Sequence, residues 1–423
     1  MSTTLTPDIC VIGAGSGGLS VAAAAASFGA TVVLIEKGEM GGDCLNYGCV
    51  PSKALLAAGK HAQMVREAPA FGVMADPQVT VNFPKVAAHV RSVIEAIAPN
   101  DSQERFTALG VTVLRHHARF TGPDTVEAGD ATIRARRFVI ATGSAPFVPP
   151  IPGIEDVPYF TNETLFSSKA RLAHLVIIGG GPIGMEMAQA HRRLGCEVTV
   201  IEAAKALARE DPELASVVIA GLVREGVSIR EGAKVTRIDR HGRGVRVSFE
   251  SADGPGKVDG SHLLVAVGRK PNLDGLGLEA AGIKFDRQGI KAGANLRTTN
   301  RRVYVVGDAA GSAQFTHVAG YHAGIVIRAL LFRLPAKADL SAVPRVTYTD
   351  PELAHVGLDE QAARDKHKTI SIARWPFAEN DRAQAERRTE GLVKLIADRK
   401  GRILGASIVG AHAGELIAFW ALA

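Results

Sequence analysis

Two cysteines, Cys44 and Cys49, are the residues of this 423-residue chain best suited to redox chemistry. They lie in the segment 41–53, GGDCLNYGCVPSK, where Gly48 between them lets the chain close a small disulfide ring. Pro51 suits the first turn of a helix, so Cys49 is expected just before a helix N-terminus, where the helix dipole favours a reactive thiolate. The alternatives are a zinc site, for which further Cys or His partners are missing nearby, and buried structural cysteines. The segment alone does not decide between these readings.

A unit of strand, glycine turn, helix, strand and acid occurs twice in the chain. Its parts are, in the first copy, residues 8–12, Gly13, Gly15, Gly18, an alanine-rich helix, residues 31–35 and Glu36; and in the second, residues 174–178, Gly179, Gly181, Gly184, a helix to about Leu194, residues 197–201 and Glu202. The acid follows the first glycine at the same offset in both copies. The chain therefore carries an internal repeat.

Each part of this unit suits the binding of a dinucleotide. The first glycine makes a tight turn, the second lets the backbone approach a pyrophosphate, and the third allows close packing of helix on strand. The N-terminus of the helix faces the phosphates, and the acid binds ribose hydroxyls. A single copy could be a structural turn, but two copies in register predict two bound dinucleotides. The cysteine segment directly follows the first copy, which favours a redox role for Cys44 and Cys49.

The second acid bears on which nicotinamide is used. A carboxylate at Glu202 hydrogen-bonds a free 2′-hydroxyl and repels a 2′-phosphate. The following residues, Ala203, Ala204 and Lys205, supply no arginine cluster. We therefore expect NAD(H) in preference to NADP(H).

The composition excludes several other classes of protein. The chain is 46% hydrophobic and 22% charged, as in soluble globular proteins. Its net charge of +6 comes without a basic run interleaved with aromatics, so no nucleic-acid partner is expected. Glycines interrupt the apolar residues 9–30, and no secretory signal is visible, so we expect no membrane span and a cytoplasmic location. Four cysteines do not make a secreted disulfide scaffold, and we expect Cys10 and Cys196 to be inert.

The motifs resemble those of the pyridine nucleotide–disulfide oxidoreductases, the family of dihydrolipoamide dehydrogenase, glutathione reductase and mercuric reductase. The segment 44–53, CLNYGCVPSK, is highly specific for that family. Further stretches in family order are ATGS at 141–144, AVGRKPN at 266–272, VGD at 306–308 and YTDPELAHVG at 348–357. The resemblance covers essentially the whole chain.

The resemblance implies an α/β fold with two Rossmann-like domains and an α+β interface domain. The expected parts are an FAD domain from residues 1–145 and 265–343, an NAD(P) domain from residues 146–264, and an interface domain from residues 344–423. That last domain forms a homodimer in this family. The residues alone also predict a hairpin in this domain, with two apolar strands at 391–396 and 402–409 around a turn at 398–401.

The resemblance also assigns roles to residues. It implies cofactor-binding positions at Gly13, Gly15, Gly18, Glu36, Thr142, Gly143, Gly179, Gly181, Gly184, Glu202, Gly268, Gly307 and Asp308. Lys53 and Glu186 match the pair beside the flavin ring. Without the resemblance, Lys53 could equally be a solvated helix residue and Glu186 an ordinary acid in the first turn of a helix. Electrons would pass between nicotinamide, FAD and the Cys44–Cys49 pair, and Cys44 would exchange with a small-molecule or protein-bound disulfide or dithiol.

One element of the family pattern is missing at the end of the chain. The family uses a His, followed five residues later by a Glu, as a general base acting across the dimer. The sequence stops within an apparent helix, so we expect a C-terminally truncated chain with slow disulfide exchange and persisting reduction of dyes by NADH. Two similar pairs, His355 with Glu360 and His412 with Glu415, lie in other parts of the interface domain and are not expected to be the base.

The terminal substrate is the open question. A dihydrolipoamide dehydrogenase-like enzyme is the leading hypothesis, because Glu202 favours NAD(H). A mercuric reductase-like enzyme is the alternative, although no second cysteine pair and no N-terminal metal-binding domain are present in the sequence. A non-catalytic flavin-binding or redox-sensing protein is a third reading, against which the intact Cys44, Cys49 and Lys53 argue.

Overall fold

The computed structural model describes residues 3–74, 76, 78–311 and 313–423. The chain divides into two compact units. Unit 1 consists of Met1–Pro51, Arg91–Pro146 and Arg269–Asp339, and unit 2 of Ser52–Val90, Phe147–Gly268 and Leu340–Ala423. Within the described residues, no helix combines the length and apolar character needed to cross a membrane.

Helices and strands alternate along much of the chain. In the described residues the α-helices are α1 (Ser16–Ser27), α2 (Gly42–Asn46), α3 (Cys49–Glu67), α4 (Phe83–Ile97), α5 (Gln103–Ala108), α6 (Asn162–Leu165), α7 (Pro182–Arg193), α8 (Pro212–Arg224), α9 (Thr316–Phe332), α10 (Glu360–Lys366), α11 (Asp381–Ala385) and α12 (Ala413–Leu422). Short 3₁₀ turns lie at Ala68–Phe71, Ala98–Asp101, Ile154–Asp156, Gly307–Ala310 and Phe377–Glu379.

The strands of the first half of the chain are β1 (Thr3–Leu5), β2 (Ile9–Ile12), β3 (Val32–Ile35), β4 (Thr112–Leu114), β5 (Ala118–Gly122), β6 (Thr125–Ala128), β7 (Ala131–Ile133), β8 (Arg137–Ile140), β9 (Ser144–Pro146), β10 (His174–Ile178), β11 (Glu197–Ile201) and β12 (Ser228–Arg230). Those of the second half are β13 (Lys234–His241), β14 (Gly244–Ser251), β15 (Gly254–Gly260), β16 (His262–Val265), β17 (Arg269–Pro271), β18 (Phe285–Asp286), β19 (Gly289–Ile290), β20 (Val303–Val305), β21 (Arg345–Thr347), β22 (Glu352–Gly357), β23 (Ile370–Pro376), β24 (Leu392–Asp398) and β25 (Ile403–Gly410).

Unit 1 is built around a parallel sheet in the order β20-β8-β2-β3-β4. Strand β2 is buried on both faces, as its continuous apolar sequence requires. Cys10 and Ile12 pack into the core on one face, and Ile9 and Val11 into the core on the other. The unit also contains a four-stranded sheet, β1-β7-β6-β5, and the pairs β17-β9 and β18-β19. The helix α1 connects β2 to β3, so the first glycine turn lies at the carboxyl end of a central strand.

Unit 2 repeats this arrangement with the second glycine turn. Its parallel sheet has the order β12-β11-β10-β16, and α7 connects β10 to β11. The predicted turn again follows the carboxyl end of a buried strand. An antiparallel meander, β13-β14-β15, belongs to the same unit.

The last part of unit 2 is an antiparallel sheet in the order β21-β22-β25-β24-β23. The predicted hairpin of residues 391–409 is confirmed as β24 and β25, which pair antiparallel. Residues of α12, including Ala413 and Ile417, bury their apolar side chains against this sheet.

A buried lysine within this sheet holds three acidic groups. The Lys394 ammonium lies 2.7 Å from the carboxylate of Asp211, 3.0 Å from Glu213 and 2.8 Å from Glu360, and its side chain is only 3% exposed. Asp211 also caps the N-terminus of α8 by accepting from the backbone of Glu213. Because a buried charge needs compensation, this cluster ties α8 and α10 to strand β24.

Candidate functional site

The two cysteines of the segment 41–53 lie close together in unit 1, both as thiols. Cys44 lies in the short helix α2 and is half-buried, whereas Cys49 is the first residue of α3 and is exposed. The helix thus begins at Cys49 itself, one position earlier than predicted. Gly48 between them is closely packed, since a Cβ there would lie 2.8 Å from the Asp43 carboxylate and 3.0 Å from the Asp43 carbonyl oxygen. Thr316, the first residue of α9, places its Oγ1 3.4 Å from the Cys49 Sγ.

The surroundings of the pair make Cys44 a weak acid. The hydrogen bond with Cys49, followed by burial, raises the pKa of the Cys44 thiol well above its ordinary value. The hydroxyls of Thr316 and Ser16 act in the opposite direction and do not offset these effects. Since thiolates are the nucleophiles in disulfide exchange, reactivity at Cys44 depends on removal of its proton.

The first glycine of each repeat has no alternative residue. Gly13 and Gly179 have φ of +104° and +110°, the region that favours glycine. A Cβ on Gly13 would lie 2.4 Å from the carbonyl oxygen of Ala141, and one on Gly179 would lie 2.4 Å from that of Ala266. Each turn therefore passes equally close to the carboxyl end of the neighbouring parallel strand, which is β8 for Gly13 and β16 for Gly179.

The second and third glycines of the repeats serve different needs. A Cβ on Gly18 or Gly184 would come within 1.8 or 2.0 Å of the carbonyl oxygen of the first glycine, so the fold itself requires both. A Cβ on Gly15 would meet only the Cα of Gly42, at 3.9 Å, and one on Gly181 would meet no described atom within 4 Å. Packing of the chain does not explain Gly15 and Gly181. The residues fit a dinucleotide pyrophosphate that approaches the backbone at these two positions.

The acids that close the two repeats are bound in the same way. Glu36 accepts hydrogen bonds from the backbone N–H groups of Ala14 and Gly38, both at 2.6 Å. Glu202 accepts from the N–H of Gly180 at 2.7 Å and of Ala204 at 2.8 Å. Each carboxylate is thereby fixed beside its glycine turn, which is the position from which an acid reaches a ribose.

Three further predicted cofactor positions are glycines with positive φ after buried strands. Gly143, Gly268 and Gly307 have φ of +65°, +123° and +65°. The first two follow β8 and β16, and a Cβ on either would meet no described atom within 4 Å. Thr142 exchanges hydrogen bonds with Asn272, its Oγ1 donating to the carbonyl at 2.8 Å and its own carbonyl accepting from Nδ2 at 3.0 Å. This bridge joins the predicted motif stretch 141–144 to the last residue of the stretch 266–272.

Asp308 is part of a polar chain that sequence reasoning did not find. Its carboxylate accepts from the Ser144 hydroxyl at 2.5 Å, and that hydroxyl accepts from Arg269 Nε at 2.7 Å. The same guanidinium lies 3.0 Å from the Asp43 carboxylate, next to Cys44 in sequence. Burial raises the pKa of Asp308, and the Ser144 hydrogen bond and the Arg269 charge counter that shift. Asp308 and Arg269 both belong to motif stretches of the sequence, and this was the available signal for them. The spacing of the stretches does not show that the two residues meet.

In unit 2, Lys53 and Glu186 form the predicted pair. The Lys53 ammonium lies 2.8 Å from Glu186 Oε2, and the Glu186 side chain is 5% exposed. Glu186 Oε1 accepts from the backbone N–H of Tyr348 at 2.9 Å. The Lys53 ammonium also lies 4.6 Å from the centre of the Tyr348 ring. Tyr348 is the first residue of the predicted family stretch 348–357, but the sequence does not predict its contact with Lys53.

Of the two histidines set aside in the sequence, His355 has structural partners. His355 is buried in β22, where its ring nitrogens bond Ser407 Oγ at 2.8 Å and the carbonyl of Gly357 at 3.0 Å. Burial lowers the pKa of His355 to about 4, so the ring is neutral near pH 7. Glu360 binds Lys394 instead. His412 precedes α12 with a φ of +61°.

The other two cysteines are buried. Burial raises the pKa of the Cys196 thiol to about 11 and raises that of Cys10 further. Neither is a ready source of thiolate at neutral pH. In the part of the chain that the structure describes, no three His, Cys, Asp or Glu side chains are grouped as a metal site would need.

Comparison with known families places the chain. Residues 7–323 match the pyridine nucleotide-disulphide oxidoreductase family, and residues 343–423 match the dimerisation domain of the same family. The chain belongs to the pyridine nucleotide-disulphide oxidoreductases. Membership confirms the predicted class of enzyme, which acts on sulfur groups with NAD(P), and confirms the mixed α/β fold with FAD-binding and dimerisation domains. It also supports FAD as cofactor and a homodimer.

Individual relatives have different names. The chain is 35% identical to a mercuric reductase of Lysinibacillus sphaericus over 97% of this chain and 76% of the relative. It is 37% identical to a dihydrolipoyl dehydrogenase of Thermus scotoductus, over 98% and 90%. A solved structure similar to it is the Cu(II) complex of the HOCl-induced flavoprotein disulfide reductase RclA of Escherichia coli, with a TM-score of 0.88, 30% identity, and coverage of 98% and 92%.

Proposed function

We propose that this chain is an NAD(H)-dependent flavoprotein that exchanges two electrons with a disulfide or dithiol through Cys44 and Cys49, in the manner of a dihydrolipoyl dehydrogenase. The observation that carries the proposal is the cysteine pair itself. Two interacting thiols, Cys44 in the short helix α2 and Cys49 at the first position of the long helix α3, lie in the unit that contains the first glycine turn. A pair needed only for packing would be buried like Cys10, but Cys49 is exposed.

The cofactor positions of the family are carried over as part of this proposal. FAD would be held by Gly13, Gly15, Gly18, Glu36, Thr142, Gly143, Gly268, Gly307 and Asp308, with Lys53 and Glu186 beside its ring. When bound, FAD supplies two-electron transfer between a nicotinamide and a dithiol. We also propose the domain boundaries predicted from the sequence: 1–145 and 265–343 for FAD, 146–264 for NAD(P), and 344–423 for the interface domain.

The preference for NAD(H) is supported by the surroundings of the second repeat. The Glu202 carboxylate is held beside the glycine turn by two backbone N–H groups, where it would accept from a 2′-hydroxyl and repel a 2′-phosphate. Lys205, the nearest following cation, forms an ion pair with Glu231 at 3.1 Å. We expect kcat/KM for NADH to exceed that for NADPH at least tenfold, and Glu202→Ala to narrow the ratio. Equal values in the unsubstituted protein would contradict this preference.

The thiol chemistry follows from the two cysteines. The Cys44 thiolate attacks one sulfur of the substrate disulfide, and a mixed disulfide forms as the first substrate thiolate leaves. The Cys49 thiolate then attacks the Cys44 sulfur and releases the second substrate thiolate. The substrate gains two electrons, and the protein is left with a Cys44–Cys49 disulfide. Oxidation of a dithiol runs through the same steps in reverse.

Reduction of a soft metal ion is the second candidate. It is favoured by the relatives named mercuric reductase, at 35% identity over 97% of this chain. Two adjacent thiolates are the ligand type that soft metal ions prefer. In that case Hg(II) would be the substrate of Cys44 and Cys49.

The test begins with anaerobic addition of one equivalent of NADH to the FAD-loaded protein, compared with Cys49→Ser and with Cys196→Ser as a matched control. We expect a long-wavelength absorption band that needs the Cys49 thiolate, present in the unsubstituted protein and in Cys196→Ser and absent in Cys49→Ser. Direct bleaching without the band in all three proteins would contradict the redox role of the pair and favour a flavin reductase or a sensor.

Turnover then separates the two candidate substrates. Lipoamide and Hg(II) are supplied to the NADH-reduced protein under matched conditions, and NADH consumption is followed. Higher kcat/KM for lipoamide supports the proposal, whereas efficient turnover of Hg(II) alone replaces it with the metal-reducing candidate.

A further inference from the structure

The Lys53–Glu186 pair is contacted by Tyr348, a residue that the sequence motifs do not connect with this pair. The backbone N–H of Tyr348 binds Glu186 Oε1 at 2.9 Å, while the Lys53 ammonium binds Oε2 at 2.8 Å. The ring of Tyr348 lies 4.6 Å from the same ammonium. One residue therefore contacts both members of the pair, the acid through its backbone and the lysine through its ring.

The position of Tyr348 is fixed by one face of α7. Glu186, Gln189 and Arg193 are three and four residues apart, so they share this face. The Gln189 amide donates to the carbonyl of Asp350 at 2.7 Å and accepts from its N–H at 2.7 Å. Arg193 lies 2.9 Å from the Asp350 carboxylate. Because all three side chains of α7 are buried, residues 348–350 are held in one arrangement on the helix.

Lys53 needs such support more than Glu186 does. The Glu186 carboxylate is 5% exposed and has two partners, whereas the Lys53 side chain is 38% exposed and carries a long flexible stem. An ammonium on a partly exposed lysine loses little by turning to water. An aromatic face at 4.6 Å attracts it and covers one side of it.

We propose that Tyr348 is a positioning residue whose ring holds the Lys53 ammonium against Glu186. This inference rests on the proposed function, in which that pair acts beside the flavin. The ring, and not the hydroxyl, carries the effect, since the ammonium lies over the ring.

The experiment compares Tyr348→Leu and Tyr348→Phe in the FAD-loaded protein. Flavin reduction by NADH is followed anaerobically by stopped flow, which separates the limiting rate from the half-saturating NADH concentration. Phe285→Leu is a matched control, because Phe285 is 38% exposed, similar to Tyr348 at 41%, but lies on the hairpin of β18 and β19. We expect Tyr348→Leu to lower the limiting rate about fivefold, the size of a partly exposed cation–π interaction, with an unchanged half-saturating concentration. Tyr348→Phe should stay within about twofold of the unsubstituted protein, as should Phe285→Leu.

A double-mutant cycle with Lys53→Met tests the route of the effect. If the ring acts through Lys53, Tyr348→Leu has no further effect on the limiting rate once Lys53 is replaced. An unchanged rate in Tyr348→Leu, or the same fivefold loss in the Lys53→Met background, overturns the inference while leaving the proposed function intact. Absence of any flavin reduction in the unsubstituted protein refutes the proposed function and this inference together.

Discussion

Exchanging single glycines of the second repeat for alanine separates the glycine that the fold needs from the one that a ligand needs. At Gly184 a Cβ would lie 2.0 Å from the carbonyl oxygen of Gly179, so α7 must move away from β10. At Gly181 a Cβ would meet no described atom within 4 Å, and the backbone has φ −74° and ψ 179°, which alanine adopts readily. The two substitutions add the same methyl group a few residues apart.

The two substitutions should change the free energy of unfolding in opposite directions. Overpacking of this kind costs about 1–3 kcal/mol, so Gly184→Ala should be destabilised by at least that amount. Gly181→Ala should be stabilised by about 0.4–1 kcal/mol, because alanine restricts the unfolded chain. The same methyl group would obstruct a pyrophosphate at the turn, and an overpacking cost of about 1–3 kcal/mol weakens NADH binding by roughly 5- to 150-fold.

The assay measures three quantities on each variant. Thermal unfolding reports stability, flavin absorbance reports FAD content, and calorimetric titration reports the Kd for NADH. Gly181→Ala should unfold no earlier than the unsubstituted protein, keep its FAD and bind NADH weakly. Gly15→Ala in the first repeat is the matched variant, and should lose FAD and not NADH affinity. A folded Gly181→Ala that binds NADH as tightly as the unsubstituted protein would refute the assignment of this turn to a dinucleotide.

Three other predictions concern charge and pH. Lys394→Met leaves three carboxylates without their shared cation and should lower the free energy of unfolding by about 3–5 kcal/mol in urea titrations, whereas the exposed Lys400→Met should change it by less than about 0.5 kcal/mol. Since burial lowers the pKa of His355 from 6.5 to about 4, the unfolded chain binds the proton more tightly, and stability should fall by up to about 3 kcal/mol as pH drops from 6.5 to 4. A smaller pH dependence in His355→Gln supports this, and an identical one contradicts it. The raised pKa of Cys44 predicts that alkylation of the NADH-reduced protein at this thiol accelerates about tenfold per pH unit above pH 7, and a plateau below pH 8 would show that the thiolate is already formed.

The cysteine pair and both glycine turns could be predicted from the sequence because their requirements are local. Gly13 and Gly179 need positive φ. Gly18 and Gly184, five residues later, have no room for a Cβ beside the carbonyl oxygen of that first glycine. Such steric demands recur wherever the turn recurs, so they leave the same residues at the same spacing. The apolar strands before each turn are equally direct, since a parallel strand buried on both faces has no room for polar residues.

The contacts around the cysteine segment and the Lys53–Glu186 pair depended on the tertiary structure. Lys53 and Glu186 are 133 positions apart, and they meet because α3 packs closely on α7, where Gly59 brings a Cβ position within 3.3 Å of the carbonyl of Ala190. Arg269 reaches Ser144, 125 positions away, and Asp43, which is still more distant in the sequence of unit 1. Tyr348 reaches Lys53 only because α7 holds residues 348–350. The positions of these side chains follow from helix packing between distant parts of the chain, and no spacing within one segment records them.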